Sequence, residues 1–254
     1  MQILDPSIIK VDATLLNEID DSAKSIYRAI TFCKKTSSKA LLDEFINSTN
    51  SLTEILSIKN AQMEASSEEE IVLYQKNLKR VILFIINEIK NQTPFEKQVQ
   101  LFQIFRLVSP ESHRIHPNKY RNELVQIGRY LCPEPKSINR LVSLVFQNME
   151  RISNPLIRAI YLHHELIRVH PFIDGNGRTI RIAKNWILMY HLYPPIFIKD
   201  EIEKKEYIAS LSESFKAIEK DNSVYHIETE AFFVQELKRV SYSIQFIVDK
   251  ITQQ

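Results

Sequence analysis

The chain has 254 residues, 25% of them charged and 44% hydrophobic, with a mean hydropathy of −0.20, the profile of an ordinary soluble globular protein long enough to bury a sizeable core. Thirty-three basic residues against 31 acidic ones leave a net charge of +2. That balance, with no basic block, gives no ground for a nucleic-acid partner.

Only three glycines occur, where average usage of roughly 7% predicts about 18. Rossmann and Walker loops are therefore missing, and hairpin-rich folds are disfavoured, so an all-α fold is expected. The two cysteines, Cys33 and Cys132, lack ligand spacing and read as reduced thiols of an intracellular protein. The opening "MQILDPSIIKVD" has no secretory pattern, and the greasiest run, "VILFII" at 81–86, is too short for a membrane span. The expected location is cytoplasmic, or a host cell reached by a signal-less export route.

In chain order, residues 1–92 read as an N-terminal helical region. Within it, "SSEEEIVLYQKNLKRVILFIINEIK" combines serine caps, first-turn acids and helically spaced Ile71, Tyr74, Leu78, Ile82 and Ile85. A helical core over 93–254 is expected to open at "TPFE", with Thr93 as N-cap, Pro94 at the first helical position and Glu96 completing a capping box. His113 and His116, in "SHRIH", read as solvated loop residues. "YRNELVQIGRYLCPEP" at 120–135, with Gly128 between β-prone runs, predicts a small hairpin. Asn154-Pro155 starts the helix "LIRAIYLHHELIRVH". Its His164-Glu165 begins like a zinc motif, but Arg168 stands where the second ligand belongs, so His163 and His164 are assigned to the core. Pro194-Pro195 closes the next helix, and two more follow, "DEIEKKEYIASLSESFKAIEK" and "IETEAFFVQELKRVSYSIQFIVDKI".

The densest chemistry lies in "RVHPFIDGNGRTIR", residues 168–181, which holds two of the three glycines. Pro171 ends the preceding helix at His170. Gly175 and Gly177 permit positive φ and bare the backbone N–H groups, so a bend here makes an anion nest at a helix N-terminus. Arg178 and Arg181, three apart, project to one side and suit a di- or triphosphate. Asp174 sits at the rim, where a divalent cation would bridge it to phosphate, and His170 is within reach as a general base.

At every fixed position this stretch matches His-x-Phe-x-(Asp/Glu)-Gly-Asn-Gly-Arg-x-x-Arg, and the chain resembles the Fic-domain family over about residues 95–220. The resemblance implies an all-α Fic-type helical bundle with a β-hairpin flap, here with extra N-terminal helices, and a protein adenylyltransferase moving AMP from ATP to a Ser, Thr or Tyr hydroxyl. It implies His170 as base, Phe172 as apolar anchor and Asp174 as holder of Mg²⁺. Gly175, Asn176 and Gly177 would form the anion hole, with Asn176 on the α-phosphate. Arg178 would grip the β-phosphate and Arg181 the γ-phosphate, while Asn185 and Tyr207 fall where such proteins often have adenine-pocket residues. A protein substrate would dock on the flap at about 121–132. Transfer of UMP, phosphocholine or phosphate, and a non-enzymatic nucleotide-binding module, stay open as alternatives.

Many family members carry an inhibitory helix, (Ser/Thr)-x-x-x-Glu-(Gly/Asn), whose glutamate pairs with the second signature arginine. No intact copy is present: Glu18 and Glu70 are each followed by isoleucine. The expectation is an unrestrained enzyme, or one held by a small inhibitory antitoxin-like protein, with Glu18, Glu54 and Glu70 as degenerate candidates.

Overall fold

Capping residues and prolines set the helix boundaries that position the site. The structure is a computed structural model describing residues 1–34 and 40–253. A short 3-10 turn, Pro6–Ile8, precedes α1 (Ala13–Lys34), α2 (Leu41–Glu64) and α3 (Glu68–Lys90). There follow α4 (Gln98–Val108), α5 (Pro110–Ile115), the strands β1 (Gln126–Ile127) and β2 (Tyr130–Leu131), and α6 (Pro135–Glu150). The chain ends with α7 (Pro155–Val169), α8 (Asn176–Tyr190), α9 (Glu201–Lys220) and α10 (Ile227–Thr252). This is the expected all-α architecture with a single small hairpin among the described residues. No described helix is long and apolar enough to cross a membrane.

The middle of the bundle is α7. Asn154 caps it, its Oδ1 accepting from the Leu156 and Ile157 N–H groups at 2.9 and 3.1 Å, with Pro155 in the first turn. From Leu156 to Val169 every residue but Arg158 is buried, because α6, α8 and α10 pack around it. A helix covered on all sides must pair its polar groups internally. Glu165 binds Arg168 at 2.6 Å, His164 Nδ1 at 2.8 Å and the Leu4 N–H at 3.0 Å, which ties the N-terminal segment to α7. The N-terminal helices do not stand apart: α1 lies along α10, α2 on α3, and α3 against α4 and α8.

Two local expectations need correction. The helix expected at Thr93 starts instead at Gln98, because the Gln100 side chain closes its N-terminus. Gln100 Oε1 accepts from the Glu96 and Lys97 N–H groups at 2.8 and 2.7 Å, and its Nε2 donates to the Pro94 carbonyl at 2.7 Å. The Thr93 carbonyl accepts from the indole of Trp186 at 3.1 Å, pinning this turn to α8. His113 lies in α5 rather than in a loop, with its ring against Phe105 and its Nε2 3.2 Å from Asn118 Oδ1.

The hairpin pairs Gln126 with Leu131 and Ile127 with Tyr130, and Gly128 supplies the positive φ (+56°) that its tight turn needs. The backbone at its start is tied to the loop after α7, where the Arg121 N–H donates to the Pro171 carbonyl at 2.9 Å.

Candidate active site

Pro171 disfavours a right-handed helical conformation at the residue before it. Accordingly α7 stops at Val169, and His170 takes a left-handed conformation (φ 52°, ψ 63°) while its N–H still bonds to the Leu166 carbonyl at 2.9 Å. Its Nδ1 lies 3.4 Å from the Ile167 carbonyl. A proton on Nδ1 facing that carbonyl leaves Nε2 as an acceptor. Burial pushes the imidazole pKa down to about 4, so the ring is neutral near pH 7.

Phe172 pins the loop, its ring stacked on Phe105 with 3.9 Å between centroids and edge-on to Phe102. The Asn176 side chain is expected on a phosphate but is used differently. Its Oδ1 accepts from the Phe172 N–H and its Nδ2 donates to the Phe172 carbonyl, both at 2.8 Å. Both ends of the amide close the loop, a structural role the sequence reading did not foresee.

The two glycines also divide their work. Gly175 adopts φ +74° and caps α8, and a Cβ there would lie 2.1 Å from Ser109 Oγ. Gly177 has ordinary helical backbone, contrary to the positive φ foreseen for it. What its missing Cβ leaves is room for Arg181, whose Nη1 would be 3.0 Å away. Asp174 is exposed at the rim, 3.4 Å from Ser112 Oγ and 3.5 Å from Arg178 Nη2.

Arg178 and Arg181 converge, as their spacing predicts. The Arg178 guanidinium sits 3.9 Å from the Tyr74 ring centroid, and its Nη2 lies 3.3 Å from Ser109 Oγ. Arg181 Nη2 bonds directly to Oε1 of Glu64, the last residue of α2, and Glu64 Oε2 lies 3.9 Å from Arg178 Nη1. One carboxylate thus bridges both guanidiniums in a partly buried setting. Lys204 of α9 donates to the Met63 carbonyl at 2.6 Å and fixes the end of α2.

No intact motif is found here either, but a carboxylate other than the three degenerate candidates pairs with Arg181. Glu18 is exposed, Glu54 pairs with Lys79 at 3.6 Å, and Glu70 accepts from the Ser66 N–H at 2.7 Å, so none of the three reaches Arg181. The sequence around Glu64, Asn60-Ala61-Gln62-Met63-Glu64-Ala65, departs from the pattern at both flanking positions. Its remaining signal is a glutamate four residues after a polar side chain, in the last turn of a helix ending before the Ser66-Ser67 cap.

Tyr207 lines the cleft and bonds to His163 Nε2 at 3.1 Å. Behind it, Lys184 Nζ donates to Glu236 Oε2 at 2.6 Å, and Arg239 binds both Glu236 and Glu203. Burial alone would raise the Glu236 carboxyl, but Lys184 and its neighbours bring it down to about 2. Asn185 is a correction. Its amide exchanges hydrogen bonds with the Ile196 backbone (3.0 and 2.9 Å), so it anchors the segment after α8 and does not line the cleft.

The cleft, about 500 Å³, is lined by His170, Asp174, Arg178, Arg181 and Tyr207 and by the hairpin residues Ile127 and Gly128. The donor set suits Mg²⁺ arriving on phosphates: a single exposed carboxylate, with no cluster of three or more metal ligands among the described residues.

A helical bundle with a flap over a His-Asp-Arg-Arg loop defines a class, and the comparisons agree with it. The sequence model of the Fic/DOC family matches residues 8–188, and the chain belongs to that family. The chain is 33% identical over 115 residues to the protein adenylyltransferase Fic of Drosophila persimilis, covering 42% of this chain and 22% of the relative. It is 26% identical over 223 residues to the protein adenylyltransferase Fic of Nematostella vectensis, covering 80% and 51%. The chain thus spans between about a fifth and a half of these relatives' length. A Fic domain containing signaling protein from Bacteroides thetaiotaomicron shares the fold with a TM-score of 0.68 at 16% identity, covering 92% of this chain and 98% of that one.

Proposed function

We propose that this protein is a protein adenylyltransferase that transfers AMP from ATP to a hydroxyl of a protein acceptor, and that Glu64 restrains it. The carrying observation is that a neutral histidine and two convergent arginines line one cleft, with the arginines already bridged by a carboxylate. Such a cleft accepts a polyanion in place of Glu64.

In the proposed reaction the acceptor hydroxyl oxygen attacks Pα while its proton passes to His170 Nε2. The Pα–O bond to pyrophosphate breaks, and pyrophosphate leaves with its charge met by Arg178 and Arg181. Mg²⁺, held at Asp174 and carried on the phosphates, would neutralise the same leaving group. Exposed Asp174 can turn to it without breaking a buried bond. Phe172, Asn176 and Gly175 hold the loop and its N–H groups in place, and Tyr207 forms the wall beyond Arg181.

Glu64 occupies the guanidinium that the γ-phosphate requires, so α2 acts as a brake in the same chain and no separate inhibitory protein is needed. We therefore read residues 1–92 as a regulatory helical region and 93–254 as the catalytic core. The acceptor would pair with the flap at about 121–132 by strand addition.

The test is mass spectrometry of acceptor and enzyme after incubation with ATP or UTP, for the wild type and Glu64→Gly. We expect an added AMP, and a gain of roughly 5–150-fold on removing Glu64, the usual range of coupling between sites. UMP transfer, or no transfer by either form while nucleotide still binds, would reject the reading.

A further inference from the structure

Arg121 lies at the start of the flap and is 2% exposed, one of the largest fully buried side chains among the described residues. Its guanidinium meets carbonyls in place of a carboxylate. Nε donates to the His170 carbonyl at 2.7 Å, and Nη2 to the Pro133 carbonyl at 2.7 Å and the Val169 carbonyl at 3.4 Å. Nη1 donates to the Glu123 carbonyl at 2.5 Å, and the Arg121 backbone N–H donates to the Pro171 carbonyl at 2.9 Å.

Each acceptor has a distinct place. Val169 and His170 carry carbonyls at the C-terminal end of α7, where a cation is favoured. Glu123 precedes β1 and Pro133 follows β2, so one side chain clasps both ends of the hairpin. The peptide held by Nε belongs to His170, whose left-handed backbone is costly for a residue with a side chain. Burying a guanidinium without a carboxylate is expensive, and an apolar residue of similar volume would fill the space more cheaply. The charge is therefore retained for what its five donors fix.

We infer that Arg121 is a positioning residue, a strut that sets the distance and angle between the acceptor-docking flap and the His170 ring. The inference rests on the transfer reaction proposed above for its catalytic consequence, but its mechanical part stands apart from that reaction. In that reaction the flap brings a hydroxyl and α7 brings the base, and this guanidinium hydrogen-bonds to the backbone of both segments. A small error between them costs rate with no loss of nucleotide affinity, since misplacement by about 1 Å is worth roughly 10²-fold.

The experiment compares Arg121→Met and Arg121→Lys in the full chain carrying Glu64→Gly. Amide hydrogen exchange is followed over residues 122–133 and 169–172, alongside ATP affinity, kcat for acceptor and the pH profile. For Arg121→Met we expect both segments to exchange faster together and ATP affinity to stay within about twofold. On the same scale, kcat should fall by roughly 10²-fold. The acid limb of the profile should move up from about 4, since the Arg121 charge helps keep His170 neutral. Arg121→Lys, keeping charge but not the fork, should fall between. Unchanged exchange in both segments, or loosening of the flap alone with kcat intact, overturns the inference. So does a parallel loss of ATP binding in both variants, which would mark a merely structural role. If the Glu64→Gly parent transfers nothing, the proposed reaction fails, and the exchange data still decide the strut.

Discussion

In the proposed reaction, removing the His170 imidazole takes away the proton acceptor and spares the proposed phosphate grip, which lies on the first turn of α8 and its two arginines. His170→Ala should therefore lose roughly 10²–10⁴ in transfer rate, the scale of a general base, while ATP binding measured by calorimetry holds. The pH profile carries a signature of its own. Burial sets the His170 pKa near 4 instead of the ordinary 6.5, and the base works only when neutral. The value of kcat/KM should stay flat as pH falls through 6.5 and drop only toward 4; a limb at 6.5 would show an open, solvated ring. Gly175 supplies a second residue-level test. An alanine there would adopt φ +74°, at about 1–2 kcal/mol, and meet Ser109 Oγ. Gly175→Ala should lower the melting temperature, and adding Ser109→Gly should recover the steric part alone.

At the scale of elements, the flap and the end of α2 both contribute to the cleft lining. A proline at Ile127 removes a donor from the only described ladder and should reduce labelling of protein acceptors while ATP binding is kept. Lys204→Met would free the Met63 carbonyl at the end of α2, and we expect it to raise basal transfer by less than Glu64→Gly does, since the ion pair itself survives. Much of this level was legible in the sequence. Asn154-Pro155, Asp200 and Ser67 start helices where their caps say, and Pro171 stops α7, because these signals act within one turn of backbone. Thr93-Pro94 misled for the same reason in reverse: Gln100, six residues after Pro94, outcompetes the local cap. Glu64 escaped because its partners are 114 and 117 positions away in the chain and its flanking residues break the expected pattern. Asn176 and Asn185 escaped because an amide serves backbone as well as ligand, and only the fold decides which.

The whole molecule should be acid-labile in two stages. His163, His164 and His170 are held neutral by burial, with pKa values below the 6.5 of the unfolded chain. The unfolded state therefore binds more protons, and stability falls as pH drops below 6.5. Glu165 and Glu236, held down to about 2 by Arg168 and Lys184 against the pull of burial, add a second loss as pH falls from 4.5 toward 2. Thermal melts between pH 7 and 3 should show both. A melting temperature independent of pH from 7 to 5 would contradict the neutral-histidine assignment.

On the proposed function, the carboxylate at the tip of α2 would also make this protein a sensor of its own occupancy. Glu64 and a triphosphate would exclude each other at Arg181 and so share one free energy, and whatever fraction of molecules has α2 released would scale the apparent nucleotide affinity by that fraction. The relation runs both ways. Saturating ATP should speed amide exchange in the last turn of α2, and any partner that draws α2 outward should tighten ATP binding by the same factor by which ATP favours that partner. A contact made for restraint thereby gives the N-terminal helices a voice in how much nucleotide the cleft holds.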